Sequence, residues 1–203
     1  MFDHLVLATD DLRKSVAEFA AATGVEPVEG GRHVGRGTRN YLVGFGAASY
    51  LEIIGPDVER PVAGAMPFGI EGLRGARLVT WAVRAADLEA AVVAARVAGA
   101  DLGSIEPMSR RTPAGELLSW RLTSTYPAPY DGIVPFLIDW GTSRHPAGSG
   151  LPSVELVDFG ATHPRPNEVN AVLEALEVDL RVAVGEPGLQ ATVAGPGGTY
   201  SLR

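Results

Sequence analysis

The chain contains no cysteine, which excludes disulfides, thiolate metal sites and cysteine nucleophiles. Lysine is almost missing: Lys14 stands alone among 17 basic residues, and the others are arginine. Positive charge is in the minority, with 17 Lys+Arg against 24 Asp+Glu, a formal net charge of −7 and a pI near 5.1. A chain with no basic footprint is not expected to have nucleic acid as a partner. No apolar run approaches the ~18–20 residues of a membrane-spanning helix, so no membrane partner is expected either. The start, Met1-Phe2-Asp3-His4, lacks a charged region followed by an apolar one. No secretory signal is expected from it, and the expected location is cytoplasmic. What remains is ordinary globular composition, 46% hydrophobic and 20% charged, over 203 residues. That length supports one sizeable core or two smaller ones sharing an interface.

Along the chain, residues 2–9 are rich in apolar and β-branched side chains and predict a strand. Asp10 or Asp11 can cap a helix over about 12–22, where Val16, Phe19 and Ala20 recur at helical spacing. Gly24 suits a left-handed stop. A short strand around 26–29, a glycine-rich stretch over 30–37, and strands at 40–44 and 48–54 follow. The order then recurs: a strand at 76–83, a helix from Asp87 to about 98, and strands at 102–105, 117–123 and 134–140. Asp11-Leu12 meets Asp87-Leu88 at an offset of 76, and Tyr50-Leu51-Glu52-Ile53-Ile54-Gly55 meets Phe136-Leu137-Ile138-Asp139-Trp140-Gly141 at an offset of 86. A third, smaller copy is expected from an extended run at 154–162, a helix from Pro166 to 176, and strands at 180–184, 189–193 and 199–202. The stretch 144–152, rich in Pro, Gly and Ser, reads as the linker before it.

The expected fold is therefore α+β. Paired βαβββ modules, about 1–57 and 76–143, fill residues 1–143, and a βαβββ-like unit occupies 152–203. Tandem modules of this kind form a curved mixed sheet with helices on its convex side. First and fourth strands line the concave side. The residues Phe2-Asp3-His4-Leu5-Val6, the run Gly30-Gly31-Arg32-His33-Val34-Gly35-Arg36-Gly37-Thr38-Arg39-Asn40, Tyr50-Leu51-Glu52-Ile53-Ile54, and Trp140 followed by His145-Pro146 resemble the vicinal oxygen chelate superfamily, and within it the glyoxalase-like group. The resemblance covers most of the chain. It implies a concave small-molecule pocket, one divalent metal ion (Zn, Fe, Mn or Ni) with no organic cofactor, and a homodimer.

Few residues can carry chemistry. His4 lies mid-strand, sharing by alternation a face with Phe2, Val6 and Ala8. It reads either as a half-buried histidine bonded to a carbonyl or as a metal ligand or base. The resemblance favours the second, because the position matches the superfamily's first ligand. Glu52 sits in an apolar strand, where a carboxylate is costly unless paired, metal-bound or facing a wet cavity. The resemblance makes it the second ligand of the module.

His33 and Asn40 flank the glycine-rich run, which is free to wrap a ligand. Within it, Arg32, Arg36 and Arg39 read either as holders of an anionic substrate or as a solvated basic hairpin. Trp140 and His145 fall near the expected pocket rim, although His145 also reads as a loop histidine without a role. His163 reads as a surface turn. The offset of 76 puts Thr80 in the place of His4, and that of 86 puts Ile138 in the place of Glu52, so the second module departs from the ligand pattern. Asp139 is adjacent, and only a one-residue register slip turns it inward.

The expected site is thus Glu52 and His33 as catalytic groups, His4, Glu52 and Asp139 toward a metal, and Arg36, Arg39, Asn40, Trp140 and His145 toward substrate. Two functions follow. One is an enzyme of lyase, isomerase or dioxygenase type acting on a small, anionic or vicinal-oxygen molecule, through the metal or with His4 or His33 as a base. The other is a non-catalytic sequestering protein of the bleomycin-resistance type.

Overall fold

The computed structural model describes residues 1–64 and 66–203. The first unit comprises β1 (Phe2–Ala8), α1 (Leu12–Thr23), β2 (Val28–His33), β3 (Thr38–Gly44) and β4 (Tyr50–Pro56). The second comprises β5 (Arg77–Arg84), α2 (Leu88–Val97), β6 (Ser104–Arg111), β7 (Leu117–Ser124) and β8 (Phe136–Asp139). Each helix starts on the expected aspartate: Asp11 accepts from Lys14 N at 3.1 Å and Asp87 from Ala90 N at 2.8 Å. Gly24 ends α1 in the left-handed region at φ 70°.

The two units close on each other more fully than a curved sheet. Their strands form an eight-stranded barrel in the order β1-β4-β3-β2-β6-β7-β8-β5. In each half the first strand lies parallel to the fourth, as His4↔Tyr50 and Ala82↔Phe136. Two antiparallel seams join the halves, β1 to β5 around Leu5↔Trp81 and β2 to β6 at His33↔Arg110. Leu5 and Trp81 stand 76 positions apart, the offset of the helix caps, so one pseudo-two-fold axis relates the halves.

Alternation then sorts the side chains. Leu5, Leu7, Leu51, Ile53, Trp81, Val83 and Leu137 point outward into the main core, where the three helices and the last sheet cover them. Inward positions carry the polar groups and two smaller apolar clusters, one of them around Trp120, Trp140 and Ile138.

The last unit has β9 (Glu155–His163), α3 (Pro166–Ala175), β10 (Val182–Val184), β11 (Gly188–Gly195) and β12 (Gly198–Leu202). Its element order is the expected one, but it is not a third copy. Its strands run β10-β9-β11-β12, with the first strand inside the sheet rather than paired to the fourth. It packs on the outside of the barrel through Val169, Val172, Leu189 and Val193.

Two local differences from the sequence reading matter for the site. β1 carries a bulge between Phe2 and His4, with Phe2↔Val83 followed by His4↔Ala82. Phe2 therefore faces outward, against Trp81 and Phe159, and not the trough face of His4. β6 runs to Arg111, well past the expected end at 105, in spite of Pro107. Only Arg110 and Arg111 of β6 pair with β2, so Pro107 lies beside an open edge, where a missing N–H costs little.

Candidate functional site

His4 from β1, His33 from β2, Asn40 from β3 and Glu52 from β4 all point into the barrel and line one cavity of about 1740 Å³. Glu52 sits between the two imidazoles. His4 Nε2 lies 3.8 Å from its Oε2, and His33 Nε2 lies 3.6 Å from its Oε1. Asn40 Nδ2 donates to Glu52 Oε1 at 2.5 Å and fixes the carboxylate. Each ring is held at its other nitrogen, His33 Nδ1 by the Thr38 hydroxyl at 3.0 Å and His4 Nδ1 by Asp3 at 2.6 Å. Tyr50 stacks on His4, with centroids 4.6 Å apart. Burial pushes His33 below the usual histidine range. The Glu52 charge opposes this and that of Arg110 adds to it, so His33 is a neutral base at neutral pH.

Asp3 and Arg110 did not emerge from the sequence. The bulge in β1 turns Asp3 to the same side as its neighbour His4. Its carboxylate, 0% exposed, accepts from His4 Nδ1, from Trp140 Nε1 at 3.2 Å and from His145 Nε2 at 3.0 Å. Arg84 Nε adds a charge 2.9 Å away, off the line of a hydrogen bond. Burial raises the Asp3 pKa, but the bonds from His145 and His4, with their charges, outweigh it and hold the group well below the usual carboxylate range. A carboxylate in this place keeps the His4 proton on Nδ1 and leaves Nε2 toward Glu52.

Arg110 is 3% exposed and donates from Nη1 to Asn40 Oδ1 at 3.1 Å. It lies across Gly30, where an added Cβ would stand 2.0 Å from Arg110 Nη1 and 2.3 Å from Asn40 Oδ1. Glycine is required there by close approach rather than by its torsion angles. Burial pulls the guanidinium below its ordinary pKa, against the raising influence of Tyr50 and Glu52.

The remaining expected residues divide. Arg36 and Trp140 line the cavity. Arg39 does not: alternation next to inward Asn40 turns it out, where it pairs with Glu29 and Glu59. Arg32 is likewise spent on Asp57 and Glu59. His145 stands behind the wall, packed on Tyr50 and Trp140 and bonded to Asp3, and does not line the cavity. Asp139 faces away from the trough, paired with Arg121 at 2.9 Å and accepting from Gly141 N, because the strand keeps the alternating register and no slip occurs. His163 is buried rather than set in a surface turn, 3.5 Å from Asp131.

The cavity extends beyond the trough, past the 66–79 segment to the 186–190 turn of the last unit. Two non-glycine residues on its wall have left-handed backbone, Phe68 at φ 61° and Asp131 at φ 57°. Such backbone costs about 1–3 kcal/mol and is common where a wall is shaped for a ligand.

The donor set does not fit the divalent ion that the resemblance implies. Thr80 and Ile138 stand at the second half's inward positions, and Asp139 faces out. His4 and His33 address different oxygens of Glu52, and Asn40 already occupies one of them. Among the described residues no group of three or more His, Cys, Asp or Glu side chains is placed to hold an ion.

Two βαβββ units closed by antiparallel seams, with first and fourth strands facing a trough, define the vicinal oxygen chelate fold. The chain belongs to the glyoxalase-like domain family, matched over residues 2–177. Among solved structures, a hypothetical protein from Staphylococcus aureus is similar over 100% of this chain and 98% of its own, at 15% identity and a TM-score of 0.67. A variant of 4-hydroxymandelate synthase from Streptomyces coelicolor is similar over 99% of this chain and 61% of its own, at 18% identity and a TM-score of 0.53. Methylmalonyl-CoA epimerase from Mycobacterium tuberculosis is similar over 68% of this chain and 85% of its own, at 21% identity and a TM-score of 0.42. No curated protein sequence matches the chain.

Proposed function

We propose that the protein is an enzyme of isomerase or lyase type that moves a proton on a small organic molecule with adjacent oxygens. The observation that carries this reading is the placement of two imidazole Nε2 atoms, 3.8 and 3.6 Å from the two oxygens of Glu52, on the wall of one cavity. Glu52, oriented by Asn40, takes a proton from carbon next to a carbonyl or carboxyl group. His33, neutral and buried, returns or relays it. His4, fixed by Asp3, presents its second nitrogen to the same carboxylate. The gaps of 3.6 and 3.8 Å exceed hydrogen-bond length; that to His33 tightens when substrate binds, and His4 Nε2, an acceptor, bonds Glu52 only once the carboxyl carries the proton. One chain builds the whole trough, so the homodimer implied by the resemblance is not needed to complete it.

The test is proton exchange in D2O, followed by NMR over a panel of 2-oxo acids, 2-hydroxy acids and substituted malonates. The wild-type protein exchanges the α-proton of at least one compound, and Glu52→Gln slows that exchange by about 10²–10⁴ while retaining binding. If no compound of the panel exchanges above the Glu52→Gln level, although one with an α-hydrogen binds in the trough, the enzyme reading is overturned. That result would favour the sequestering protein, for which the Trp120–Trp140 wall, centroids 5.0 Å apart, is suited.

A further inference from the structure

Among the described residues, Arg110 is a buried cation without a carboxylate partner. Arginine is rarely this buried unless paired. Yet among the described residues no carboxylate lies within ion-pair distance of Arg110, whereas Arg32, Arg39, Arg84 and Arg121 each have one. Of its five N–H groups, the one bond found among the described residues is Nη1 to Asn40. None of its nitrogens is both sealed from solvent and unpartnered, so those left over face the cavity that the residue lines. Trp120 lines the same wall. Trp120 Nε1 is fully buried with no acceptor among the described residues, and Trp120 packs edge-on to His33 at 6.2 Å. Gly30 keeps the space in which Arg110 lies. A strand glycine and a guanidinium with no carboxylate partner among the described residues therefore meet at Asn40, which holds Glu52.

We infer that Arg110 takes the place that a divalent cation would hold, making the trough a metal-independent site for small carboxylates with a second oxygen on the neighbouring carbon. The guanidinium receives the carboxylate or the oxygen on which negative charge develops. The α-carbon is left toward Glu52 and His33. The fork geometry of arginine suits paired oxygens in a way that a single ammonium does not. The base and the cation come from opposite halves of the barrel, and they meet because His33 and Arg110 are register partners across the β2–β6 seam. This inference deepens the proton-transfer reading by naming its substrate class and its electrophile.

The test uses the full chain, dialysed against EDTA, with two probes: sodium oxalate by calorimetry and Co²⁺ alone by visible absorption. Wild-type protein binds oxalate without added metal. Arg110→Ala weakens that binding at least tenfold, and Arg110→Lys recovers only part of it. Both variants are checked for an intact fold by near-ultraviolet circular dichroism. If Arg110→Ala does not fold, the Lys variant carries the test, with oxalate binding weakened and the near-ultraviolet circular dichroism unchanged. Stoichiometric Co²⁺ uptake that His4→Ala removes, with oxalate binding only after metal is restored, would overturn the inference.

The two readings fail separately. Oxalate binding unchanged in both Arg110 variants, with α-proton exchange still lost in Glu52→Gln, sinks the arginine site and leaves proton transfer standing. Oxalate binding that depends on Arg110, with no exchange on any acid, does the reverse.

Discussion

In the first half of the barrel, β1 and β4 put His4 and Glu52 into the trough; in the second, the matching inward positions hold Thr80 and Ile138. Both halves keep the same strand order, the same capped helix and the same parallel pairing of first and fourth strands. The shared backbone is thus maintained by the outward apolar face, which the helices bury, and places few demands on the inward one. The first half uses that freedom for titratable groups. The second uses it for an aromatic wall, Trp120 and Trp140, and for the buried cation Arg110.

Substitutions sharpen this contrast in order of size. Asp3→Ala is expected to cost the most, about 3 kcal/mol of stability in urea unfolding, because His4, His145 and Trp140 lose their acceptor and Arg84 its counter-charge. A loss below 1 kcal/mol would mean that the Asp3 network is not formed in solution. The same carboxylate sets an acid limit. Its folded pKa lies below the ordinary value of ~4, so its contribution is complete above that pH and is lost as pH falls through the folded value. Urea midpoints from pH 6 down to pH 3 should fall, and Asp3→Asn should flatten the part below pH 4. His33 adds in the same direction. Its pKa is depressed by burial, so the unfolded chain binds protons first below ~6.5 and stability declines from there.

Gly30→Ala comes next. The added methyl displaces Arg110 and Asn40 and should cost about 1–3 kcal/mol, with oxalate binding weakened in parallel. Retained binding would show that Arg110 does not need this space. Thr80→Val is the smallest: the side chain is buried and no hydrogen bond of its hydroxyl is found among the described residues, so stability and exchange should stay within about 0.5 kcal/mol of wild type. A large loss there would break the contrast, giving the second half a share in the chemistry.

Much of this was legible in the sequence. The helix caps and the tandem order follow from periodicity and turn residues, and the inward pairing of His4 with Glu52 is what the family resemblance implies. The structure brings that pair within 3.8 Å. What escaped did so for identifiable reasons. A bulge breaks the period of two that places side chains, so Asp3 read as an outward neighbour of His4 and Phe2 as an inward one. The expected strand stops at 105, short of Arg110, because Pro107 is tolerated in β6 only beside an open edge, which is a property of the assembled barrel. Arg39, Asp139 and His145 were drawn toward the site by nearness along the chain, whereas alternation and the Asp3 network send them elsewhere. The third unit repeats the element order and not the pairing, because element order leaves strand order open.

The central claim is that Glu52 and His33 face each other in one trough, so that the charge on one acts on the proton of the other. Nitrogen-15 NMR titration of the histidine rings tests it without a substrate. Glu52 raises the pKa of His33 against the pull of burial, so Glu52→Gln should move the His33 titration to lower pH and leave the His163 ring signals in place. A His33 titration unchanged by Glu52→Gln would contradict the account.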